Sequence, residues 1–74
     1  MKFKVGELVT HYLYNKNGIK VTKVFVILGG YKSNPLKFLQ DYYYCMDIKN
    51  GSKWNFWECD LKPICKKEAI ILVL

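Results

Sequence analysis

The sequence predicts an all-β chain: a single small five-stranded barrel with a long 29–41 loop and an apolar C-terminal tail. Three observations carry that expectation. Short runs rich in Val, Ile, Tyr, Phe and Trp are separated by clusters of Gly, Asn and Pro, with no long amphipathic helical period. Asn50-Gly51 lies between two such runs, a strong hairpin signal, because a tight type I′ turn needs φ > 0 at both central residues. The 74 residues leave room for one domain with one small core, marginal unless a sheet closes or a partner is bound.

The elements follow in order. Lys4 to Glu7 forms a turn at Gly6 and leads into a strand through Tyr14. Asn15-Lys16-Asn17-Gly18 is a turn cluster. Ile19 to Leu28 is a second, β-branched strand. Its apolar alternation slips from Ile19 and Val21 to Val24, Val26 and Leu28, which a bulge near Thr22-Lys23 would reconcile. Gly29-Gly30 ends it, and 29–41 is the longest irregular segment, with Pro35 against a regular strand. Strands at about 42–49 and 52–58 make the Asn-Gly hairpin. Glu58 to Leu61 suits one 3₁₀ turn, and Lys62 to Cys65 suits a short last strand.

The domain therefore spans 1–65, and 66–74 is a separate tail. Ile70, Ile71, Leu72, Val73 and Leu74 follow Ala69 as an uncharged run of high β propensity, sticky if left in water. Two readings stand. The run covers its own barrel, or it docks on another chain, as an extra strand on a sheet edge.

A two-residue Asn-Gly loop pairs Asp47 with Trp54, Cys45 with Phe56 and Tyr44 with Trp57. One face then carries Tyr44, Met46, Ile48 and Trp57, and the other Tyr43, Cys45, Asp47, Trp54 and Phe56. The first set is expected inside. Tyr43, Trp54 and Phe56 then form an outer aromatic strip, either covered by the 29–41 loop or the tail, or free for docking.

The net charge is +6, and all 12 basic residues are Lys. Without Arg, base-specific bidentate recognition is not expected, whereas Lys still attracts phosphates non-specifically. Lys20, Lys23, Lys49 and Lys53 are the candidates for such contacts, with Tyr43, Trp54 and Phe56 as stacking rings. Cys45, Cys59 and Cys65 have no CxxC pairing, an odd count and no zinc-ribbon spacing, so a reducing interior and no metal are expected. The N-terminus lacks a hydrophobic signal core, and no apolar run is long enough to span a membrane.

These elements resemble small SH3-like barrels. Phe3-Lys4-Val5-Gly6-Glu7-Leu8-Val9 is similar to their Gly-turn opening, and Gly18-Ile19-Lys20-Val21 to the start of their second strand. Tyr44, Met46, Ile48 and Asn50-Gly51 resemble their hairpin, and Trp57-Glu58, Leu61 and Pro63 its ending. KOW, Tudor and chromo-barrel modules share this architecture, and short proteins of the kind are common in bacteriophages and bacteria. The resemblance covers about residues 3–65. The long 29–41 segment and the apolar tail depart from it.

Catalysis needs a nucleophile, a base and an orienting group together. The chain has one His, His11, no paired carboxylates and no phosphate-binding Gly loop, so no enzyme, cofactor or small-molecule substrate is expected. The expected function is a non-catalytic protein–protein interaction module: an accessory or structural subunit of a larger assembly, such as a phage virion, cytoplasmic or particle-borne. Its docking residues are Tyr43, Trp54, Phe56 and the 70–74 run. The alternative is a non-specific nucleic-acid-binding barrel.

Overall fold

The structure is a computed structural model that describes residues 2–32 and 41–73. Its strands are β1 (Leu8–Tyr14), β2 (Lys20–Lys32), β3 (Asp41–Asp47), β4 (Lys53–Trp57) and β5 (Lys62–Pro63). A 3₁₀ turn, Glu58–Asp60, precedes β5, and one short helix, α1 (Lys66–Val73), follows it. The chain is all-β in class. The strands form one antiparallel sheet in the order β4-β3-β2-β1-β5, and the sheet is open, with no pairing between β4 and β5.

The β1–β2 turn is local chemistry. Asn15 Oδ1 accepts the backbone N–H groups of Asn17 and Ile19 at 2.9 and 3.0 Å, and Gly18 takes φ 75°. The side chain imitates a backbone turn, and the left-handed residue is the one with no Cβ.

β2 is longer than the sequence suggests. Gly29-Gly30 does not end it, and residues 29–32 pair with β3. Residues 33–40 of the expected 29–41 loop lie outside the described residues. The β1–β2 register is unbroken from Leu8↔Val26 to Tyr14↔Lys20, so there is no bulge at Thr22-Lys23. The irregularity lies between Ile27 and Gly29, against β3. The slipped alternation has another cause. Phe25 and Ile27 are buried in the main core, and Val24 is buried on the opposite face, where α1 packs against β2. A strand covered on both faces reads as continuously apolar.

The β3–β4 hairpin also differs. Its register is Tyr42↔Trp57, Tyr43↔Phe56, Tyr44↔Asn55, Cys45↔Trp54 and Met46↔Lys53. The loop is four residues, Ile48 to Gly51, closed by Asp47 N–H to Ser52 O and Gly51 N–H to Asp47 O, each 2.8 Å. Gly51 alone takes positive φ there, at 76°, so this is not a type I′ Asn-Gly turn. The register moves by two residues, and each predicted face keeps its membership because side chains alternate with period two.

The faces are inverted, however. Tyr43, Cys45 and Phe56 lie in the core with Phe3, Val9, Phe25, Ile27 and Leu61. Ile48 and Trp57 are exposed, and Tyr44 and Met46 are half-buried. Asp47 misleads, because a carboxylate on a strand normally marks the wet face. Here it is only 2% exposed, paired to Lys23 Nζ at 3.3 Å and accepting the Lys49 N–H at 2.8 Å.

The N-terminal segment crosses the core face. Phe3 N–H donates to the Tyr43 hydroxyl at 3.1 Å, and that hydroxyl donates to Glu58 Oε2 at 2.5 Å. Glu58 also accepts the Lys2 N–H at 3.2 Å. The Tyr43 hydrogen bond holds the Glu58 carboxyl below its usual range. Burial, reinforced by Glu58, raises the Tyr43 phenol, and burial pushes the Cys45 thiol up to about 11.

These shifts set a pH profile. Glu58 stabilises the fold above its unfolded pKa, and this is lost as pH falls through the lower folded value. Tyr43 and Cys45 stabilise it below their unfolded pKa values, and this is lost as pH rises. The Cys45 rise from 9.0 to about 11 corresponds to roughly 3 kcal/mol, lost progressively above pH 9. In urea titrations across pH, the midpoint falls at both ends. Cys45→Ala lowers it at neutral pH through the cavity left behind, yet flattens the alkaline limb. An unchanged alkaline slope in that variant would show that burial of this thiol does not drive the limb.

Candidate functional site

Three surfaces carry unusual chemistry. The first is α1. Lys66 to Ala69 are adequate helix formers, and the Ala69 N–H bonds to Cys65 O at 3.0 Å. The tail is thus a helix, not an added strand. Successive helical side chains are about 100° apart, so the consecutive apolar residues Ala69, Ile70, Ile71 and Leu72 sweep around most of the axis. No single packed face can bury them all. Ala69 is buried, while Ile70, Ile71 and Leu72 stay 55%, 65% and 46% exposed. Leu74 and the Val73 side chain lie outside the described residues.

The second surface is the open end of the core face. The His11 and Phe56 rings stack at 4.1 Å between centroids, and Phe25 meets Phe56 edge-on at 4.9 Å. β1 and β4 are separated by two strands in the sheet, so this contact requires the sheet to curl steeply over its core face. Trp54 stacks beside Phe56 at 6.0 Å, and its indole N–H donates to Ser52 Oγ at 2.9 Å. Between Trp54 and the β1–β2 end lies a depression of about 250 Å³ lined by Leu13, Tyr14, Asn15, Val21, Lys23 and Trp54.

The third surface is the opposite face. Tyr31, Tyr42 and Trp57 are register neighbours on three strands. Tyr31 stacks on Tyr42 at 5.3 Å, and Tyr42 meets Trp57 edge-on at 5.7 Å. Further along, Lys20 Nζ lies 3.6 Å above the Tyr12 ring centre and Lys62 Nζ lies 5.8 Å from it.

The expected docking strip of Tyr43, Trp54 and Phe56 is therefore not a surface. Tyr43 and Phe56 are core residues, and of the three only Trp54 is exposed, at the rim. The inversion of the hairpin faces is the cause. Tyr12, Tyr14 and Tyr31 are exposed rings outside the expected strip, and Trp57, expected inside, is exposed as well. The signal for Tyr12 and Tyr14 is the alternation of β1, which puts them opposite the buried Val9.

The four candidate lysines do not make one patch. Lys23 and Lys49 border a shared depression with Asp47 and Leu72. Lys23 is engaged by the Asp47 carboxylate, Lys20 caps Tyr12, and Lys53 lies on β4 opposite Met46. Among the described residues no group of three or more His, Cys, Asp or Glu is placed to hold a metal ion. No described helix is long and apolar enough to cross a membrane. No protein-family model, curated protein or solved structure matches the chain.

Proposed function

We propose that this protein is a non-catalytic protein–protein interaction module, a subunit of a larger assembly that docks through the outer side of α1. The observation that carries this reading is the exposure of Ile70, Ile71 and Leu72 on a helix that buries Ala69 against the sheet. Contiguous aliphatic surface of this kind on a small domain marks a contact that excludes water. The fold is, on the same reading, a small SH3-like barrel. Support comes from the four-strand meander, the return of β5 to β1, and the curl that brings His11 onto Phe56.

The test keeps Ala69 in place, since removing 69–74 would also strip the cover from β2. Ile70→Lys with Ile71→Lys is expected to leave the thermal midpoint within a few degrees and to abolish association. Sedimentation equilibrium measures self-association, and quantitative affinity purification compares the partners of the two chains. If wild type and double variant show the same mass and the same partners, α1 is not the docking element.

A further inference from the structure

The face of β1 that carries Tyr12 is chemically unlike the docking helix. Tyr12 and Tyr14 lie two residues apart on β1, and by alternation their side chains share one face about 7 Å apart along the strand. Tyr14 is 71% exposed. Lys20 stands opposite Tyr14 in register, and its ammonium reaches diagonally to the Tyr12 ring. Lys62 approaches the same ring from β5, on the other side of β1. The Thr10 hydroxyl donates to Lys62 O at 3.4 Å, which ties that residue to the strand.

Two ammonium groups thus converge on one ring, 3.6 and 5.8 Å from its centre, on elements fixed by the sheet. Among the described residues neither is in an ion pair with a carboxylate. Two ammonium groups held along one strand without a carboxylate counter-charge attract anions. A phosphodiester backbone running past the Tyr12 ring supplies that counter-charge, and the exposed Tyr14 offers a ring one step along for a base.

We propose that Tyr12, Tyr14, Lys20 and Lys62 form a binding site for single-stranded nucleic acid. Lys20 and Lys62 each hold a backbone phosphate, Tyr12 positions both ammoniums, and Tyr14 stacks on an unpaired base. An acidic protein surface would also satisfy the lysines, and the polyglutamate competition and Tyr14 variant below separate it from a nucleic acid. This site differs from the expected cluster of Lys20, Lys23, Lys49 and Lys53, sharing only Lys20. It is independent of the α1 reading.

The experiment is fluorescence anisotropy of the full chain with labelled oligo(dT) and oligo(U) across a salt series. Polyglutamate serves as the competing acidic polymer. Each single-strand phosphate contact contributes a slope of about 0.7 in log affinity against log salt, so Lys20→Gln with Lys62→Gln should reduce the slope by about 1.4. Tyr14→Ala should weaken binding about tenfold at constant slope, because it removes a stacked ring and no charge. Lys49→Gln with Lys53→Gln, of equal net charge to the first pair, should leave the slope near that of wild type. The proposal is overturned if no binding occurs at low salt, or if both lysine pairs act alike. It is equally overturned if polyglutamate competes as well as oligo(dT) and Tyr14→Ala has no effect, which would identify an acidic protein ligand.

Discussion

Phe56→Ala is expected to destabilise the fold by about 3–5 kcal/mol, the range for emptying a buried aromatic site. Phe56 lies on β4 yet touches His11 on β1 and Phe25 on β2, so its ring holds the curled sheet together across the core. A chain of 74 residues has a total stability of roughly 4–11 kcal/mol at ordinary per-residue values. The variant therefore stands close to unfolding at 25 °C, which urea denaturation followed by tryptophan fluorescence would read. A double-mutant cycle with His11→Ala isolates the ring pair and should give a coupling of about 0.5–1.5 kcal/mol. Additive effects would mean that the stacked rings are neighbours only, and that the curl is set by the backbone.

Asp47→Ala should cost about 2–3 kcal/mol. The carboxylate is buried, pairs with Lys23 and accepts the Lys49 N–H of its own loop. Removing it leaves both donors without their acceptor. Lys23 keeps 35% of its side chain in water, which holds the loss below that of a fully buried pair. Asp47→Asn retains an acceptor for Lys49 and should lose about half as much. A Lys23→Met and Asp47→Leu pair should recover much of the loss, because it removes both charges together. If Ala and Asn at position 47 give the same urea midpoint, the turn hydrogen bond adds nothing and only the charge matters.

The same residue explains where sequence reading stopped. Parity along β3 and β4 was legible, since Tyr43, Cys45 and Phe56 were correctly grouped on one face and Tyr44 and Met46 on the other. The choice of inner face was not, because both sets are apolar and the single charged member, Asp47, pointed to water. Its burial depends on Lys23, a partner 24 residues away that no local pattern announces. The Asn15 turn, the 3₁₀ turn after β4 and the number of strands were readable because each rests on local chemistry. The helical tail was not. The β-branched run outweighed Lys66 to Ala69 in a propensity argument, whereas packing of Ala69 against the sheet decides the conformation. The placement of the lysines was not legible for a related reason, since spacing in sequence does not reveal which strand edge or which face a long side chain reaches.

β2 has a division of labour that its length conceals. Residues 20–26 pair with β1, and residues 25–32 pair with β3, so only Phe25 and Val26 have sheet partners in register on both sides. The molecule is two ribbons riveted at one point. The far end of each ribbon lies away from the rivet. The distal end of the β1–β2 ribbon bears the turn at Asn15, and that of the β2–β3 ribbon lies at Lys32 and Asp41.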